Sequence, residues 1–87
     1  MTKKETKEVK RILSNVDKEF VNSFLNKINL SLRENEVIRS TELDKITVFE
    51  LAEKMCLSPD AINYIKKAAV KKIYKYSLQN NYIKITD

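Results

Sequence analysis

The chain has 87 residues, a formal net charge of +5, no histidine, no glycine and a single cysteine, Cys56. Those absences exclude an intrachain disulfide, a His/Cys zinc site and a glycine-rich phosphate loop, so no metal or other cofactor is expected. No apolar run approaches the roughly 18 residues of a membrane helix, and Met-Thr-Lys-Lys-Glu leads into no signal-peptide core, so a cytoplasmic protein without membrane contact is expected.

In chain order, capping chemistry marks four helix starts. Thr2-Lys3-Lys4-Glu5 fits a capping box, in which a hydroxyl and a carboxylate satisfy each other's free backbone N–H groups. Val9, Ile12, Leu13, Val16, Phe20, Phe24, Leu25 and Ile28 then recur at three- and four-residue steps, predicting an N-terminal helix or helix pair over 1–28. Polar Ser14-Asn15-Val16-Asp17 is the break point, with the apolar stripe continuing through it in phase. This stripe folds back to complete one core or pairs with a second copy in a homodimer, and the two are compatible if the helix buries different faces; a domain this small favours fold-back.

Ser31-Leu32-Arg33-Glu34 opens a scaffold helix over 31–43, again with a capping box. Thr47-Val48-Phe49-Glu50 opens the next helix. Ser58-Pro59-Asp60 opens the last, with serine at the cap, proline at the first helical position and an acid in the first turn. Ile62, Ile65, Ala69, Ile73 and Tyr76 share one face of that helix, and Asn80-Asn81 ends it. Tyr82–Thr86 alternates like a short strand or an extended tail, within a tail over 81–87. No partner strand is evident, so the expected class is all-α: one domain, 1–87, of four to five helices, with a helix-turn-helix over 47–77.

The helix-turn-helix assignment rests on a window of about twenty residues beginning at Val48. Two helices that cross steeply nearly touch at the fifth position, which must be small, and here it is Ala52. The fourth, eighth, tenth, fifteenth and eighteenth positions form the shared core and are Leu51, Met55, Leu57, Ile62 and Ile65. The ninth position falls in the turn and is occupied by Cys56, which carries backbone strain if the turn keeps a left-handed residue there. Flanked by Met55 and Leu57, Cys56 reads as a packing residue.

The stretch from Leu30 to Ile73 resembles region four of bacterial sigma factors and, more loosely, the DNA-binding domain of LuxR-type regulators. The matching residues are Leu32, Glu36-Val37-Ile38-Arg39, Thr47 to Met55 and Leu57-Ser58, then Ala61-Ile62, Ile65, Ala68 and Lys72-Ile73. Members carry a scaffold helix, a threonine-capped first helix containing Glu-Leu/Ile-Ala, and a recognition helix after Leu-Ser. The chain departs from them at Cys56, which stands where glycine is usual, and residues 1–28 have no sigma-like feature. It is also far shorter than a full sigma factor. The resemblance implies a DNA-binding module and a small transcriptional regulator, not a promoter-opening machine.

With the core face fixed, the outward face of the second helix presents Ser58, Pro59, Asp60, Asn63, Tyr64 and Lys67, flanked by Lys66 and Lys71. Asn63 has the donor–acceptor pair for a bidentate contact to adenine, and Tyr64 suits a thymine methyl or a phosphate. Lys66, Lys67, Lys71 and Lys75 suit phosphates, and Ser58 can offer a hydroxyl or its helix-start amides to one. Asp60 can accept from cytosine but also stabilises the helix start. The charge distribution agrees with this face: residues 58–87 carry six basic and two acidic groups, 29–57 four and six, and 1–28 seven and four. The acids of the middle third, Glu34, Glu36, Glu42, Asp44, Glu50 and Glu53, are expected on solvated helix faces, or facing a basic patch on a protein partner such as RNA polymerase or another regulator. No nucleophile–base pair accompanies them, so no enzyme activity is expected. Abundant Lys, Ile and Asn without glycine is the composition of an AT-rich coding sequence, as in a phage or a low-GC bacterium.

Overall fold

The computed structural model of the chain describes residues 3–82, and 76% of these are helical, with no strand among them. Five helices follow one another: α1 (Lys3–Leu13), α2 (Lys18–Asn26), α3 (Leu32–Ile38), α4 (Val48–Met55) and α5 (Pro59–Gln79). The last turn of the scaffold helix, Arg39–Leu43, widens into a π-helical segment closed by Asp44 N–H to the Arg39 carbonyl at 3.0 Å. Within that segment the Thr41 hydroxyl donates to the Val37 carbonyl at 2.8 Å, a local bond that weakens regular α geometry.

The caps explain the boundaries. Ser31 Oγ accepts from Glu34 N–H at 3.1 Å while Glu34 Oε1 accepts from Ser31 N–H at 2.8 Å, a complete capping box. Thr47 and Ser58 each accept from the third helical amide, of Glu50 and Ala61. Thr47 lacks the reciprocal half, because the Glu50 carboxylate meets the Thr47 hydroxyl instead of its amide. Asp17, not expected as a cap, opens α2 by accepting from the Glu19 and Phe20 amides. Thr2, and all but Tyr82 of the short strand or extended tail expected over Tyr82–Thr86, lie outside the described residues.

α5 is the strut on which the rest is hung, about 31 Å long at 1.5 Å per residue. Its C-terminal half packs in one cluster with Val9 and Leu13 of α1, Val21, Phe24 and Leu25 of α2, Ile28 and Ile38; its own contributions are Ala69, Val70 and Ile73. Its N-terminal half carries Ile62 into a second cluster with Val37, Leu51 and Ala52, bordered by the partly buried Met55, Leu57 and Ile65. Val37 and Ile38 point into different clusters, so α3 bridges them. Val9, Leu13, Phe24, Leu25 and Ile28 of the N-terminal stripe thus fold back with α5 into one core. A ring group of Phe20, Phe24, Tyr76 and Tyr82 closes that end, with Phe24 edge-on to Tyr82 at 4.9 Å between centroids.

Two expectations need correction. Val16 is 95% exposed, because α1 stops at Leu13 and Asp17 restarts the helix in a new phase, with Val21 in the core in its place. Cys56 is exposed, not packed. It ends α4 in the left-handed region, φ 56° and ψ 41°. Its N–H bonds the Glu53 carbonyl at 3.3 Å, and Leu57 N–H bonds the Ala52 carbonyl at 2.9 Å. This is the Schellman closure usually made by glycine. The backbone selects position 56, and its side chain projects into solvent.

Candidate nucleic-acid interface

α4 and α5 are joined by the short turn 56–58, over the window expected to form a helix-turn-helix. Ala52 is buried where the two helices approach, and Leu51 and Ile62 meet across the seam. That packing fixes the rotation of α5, so the residues opposite Ile62 face solvent. Asp60, Asn63, Tyr64, Lys67 and Lys71 are all exposed, Tyr64 by 76%. Tyr64 therefore presents its ring outward. Ser58 is exposed and Pro59 half-buried at the helix start. The Ser58 oxygen already caps Ala61, which leaves its O–H free to donate.

Lys66 departs from the expectation. Its ammonium pairs with Glu42 of the π segment at 3.0 Å, and both side chains are largely covered. This lysine ties α5 to the scaffold and is not free to bind phosphate. Lys67, Lys71 and Lys75 are exposed, with no carboxylate at ion-pair distance among the described residues. Asn63 lies about 100° around the helix from Ile62, and so at the margin of the outward face. There it borders a cleft of about 170 Å³ with Thr6 and Lys10 of α1, Glu42 and Lys67.

The acidic residues divide. Glu36, Asp44, Glu50 and Glu53 are exposed as expected. Glu34 is not: it is buried at 7% exposure and accepts from Lys72 Nζ at 2.7 Å. Burial alone would raise its carboxyl, but the Lys72 ammonium and the Ser31 amide and hydroxyl outweigh it and hold the group below its ordinary value. Glu34 therefore anchors α3 to α5. Among the described residues, no three acidic or cysteine side chains are gathered as a metal site, and no helix is long and apolar enough to cross a membrane.

Both cross-links to α5, Glu42–Lys66 and Glu34–Lys72, escape sequence reading because their partners are 24 and 38 positions apart with no local periodicity between them. A third tie is an arginine clamp. Arg39 donates from Nε to Asn35 at 2.8 Å, from one terminal nitrogen to Asn26 at 3.0 Å and from the other to Asn22. One planar guanidinium thus docks α2 onto α3. Compared with protein-family models, curated proteins and solved structures, the chain matches none.

Proposed function

We propose that the chain is a cytoplasmic, sequence-directed binder of double-stranded DNA, a small transcriptional regulator that lays the N-terminal half of α5 in the major groove. The observation that carries this reading is the exposed face of α5. A helix braced against α4 by Leu51, Ala52 and Ile62 offers Ser58, Asp60, Asn63, Tyr64, Lys67 and Lys71 to solvent together. Lys67 and Lys71 bind phosphate and set orientation, while Asn63 and Tyr64 read base edges. Asp60 stabilises the helix start and moderates non-specific attraction.

A second reading is favoured by one observation on α4. Phe49 is 75% exposed beside the exposed acids Glu50 and Glu53, a surface suited to a protein partner such as RNA polymerase or another regulator. The two readings separate by salt. Fluorescence-anisotropy titration of random-sequence duplex at two salt concentrations should give binding that weakens steeply with salt and is abolished in Lys67→Glu/Lys71→Glu. A folded protein that binds no duplex at low salt refutes DNA binding and directs attention to α4.

A further inference from the structure

We infer that α1 is part of the same polyanion-facing surface, with Lys7 and Lys10 contacting the DNA backbone strand that borders the groove occupied by α5. The inference rests on the DNA-binding reading above and adds to it a second contacting helix.

Three observations carry it. First, burial of Val9 and Leu13 against α5 fixes the rotation of α1. At about 100° per residue, Thr6, Lys10 and Lys7 then fall on one flank, and Glu5 and Glu8 on the other. Second, the basic flank is the one beside α5, because Thr6 and Lys10 line the same cleft as Asn63 and Lys67. Third, part of the positive charge on this side is uncompensated. Lys66 is neutralised by Glu42, and Arg11 of α1 pairs with Glu8 at 2.6 Å, whereas exposed Lys7, Lys10 and Lys67 have no carboxylate at ion-pair distance among the described residues. Lys10 of α1 and Lys67 of α5 therefore bring unpaired ammonium groups to one cleft, beside the Glu42–Lys66 pair and above Val9 and Val70, with Lys7 further out on the same flank of α1. These ammonium groups repel one another until a polyanion covers them.

The dimensions fit duplex DNA. Packed helices lie about 8–10 Å apart, axis to axis, and the major groove is about 12 Å wide. A helix beside one seated in the groove therefore stands over the flanking phosphates, where lysines suit the surface and base-reading side chains have no use.

The test is the salt dependence of duplex binding by wild type, Lys7→Gln/Lys10→Gln, Lys7→Arg/Lys10→Arg and Lys67→Glu/Lys71→Glu, with unfolding midpoints measured for each. The glutamine pair should lower the slope of log K against log salt by about 0.9 per lost contact, and weaken binding roughly eightfold per contact at 0.1 M salt. The loss should be equal on preferred and random sequences, and the arginine pair should keep the wild-type slope. An unchanged slope in the glutamine pair, while Lys67→Glu/Lys71→Glu loses binding, overturns the α1 contact and leaves the α5 reading standing. Absence of duplex binding by wild type overturns both.

Discussion

Replacing Cys56 by glycine should make the protein more stable, although it deletes a side chain. Cys56 occupies φ 56° and ψ 41°, where a Cβ costs roughly 1–2 kcal/mol relative to glycine. Its thiol is exposed, so removing it sacrifices little buried area. Against the relief stands the extra freedom glycine gives the unfolded chain, about 0.5–1 kcal/mol. The central balance is a gain of about 0.75 kcal/mol, or roughly 3–6 °C in Tm for a domain of this size. Cys56→Ala keeps the Cβ and should be neutral. Cys56→Val adds β-branching in a region that tolerates it poorly and should cost about 1 kcal/mol or more. Urea and thermal unfolding of the three variants, read by circular dichroism, give the ranking Gly above wild type and Ala, with Val lowest. If glycine is destabilising and alanine is not, residue 56 is not left-handed, and the turn between α4 and α5 is built differently.

Arg39→Lys keeps the charge but loses the planar fork that reaches Asn22, Asn26 and Asn35, and should cost about 1–2 kcal/mol by chemical denaturation. Glu34 is held below its ordinary value of about 4.5, so its stabilising contribution is present above that pH and disappears as pH falls through the lower folded value. Glu34→Gln should therefore flatten the acid limb of the stability profile, while an unchanged limb would place the titrating group elsewhere. Asn63→Ala should cost about 1–3 kcal/mol on a preferred DNA site and little on random duplex; equal losses on both would remove its base-reading role.

The local grammar of the chain carried much of the fold. Ser31, Thr47 and Ser58 cap the helices that their hydroxyls announce, and Leu51, Ala52 and Ile62 fall in one buried cluster between α4 and α5, as their spacing in the sequence implies. Val16 misled because an apolar residue at the right spacing looks helical even when Asn15 and Asp17 form an Asx turn around it, with Asp17 N–H on Asn15 Oδ1 at 2.9 Å. Cys56 misled because its neighbours' hydropathy says nothing of a left-handed backbone that turns its side chain outward. At the candidate site, the outward face of α5 was legible because it is the complement of the core face. Neutralisation of Lys66 and the approach of α1 to Asn63 were not, since both depend on how segments distant in sequence are docked.

The central claim, that the outward face of α5 meets DNA, is tested most directly by titrating ¹⁵N-labelled protein with duplex DNA and mapping the perturbed amides. Shifts concentrated at Ser58 to Lys71, reversing as salt is raised, with those at α2 unmoved, are the predicted result. Shifts centred on Phe49 and α4, or none at low salt, would contradict it.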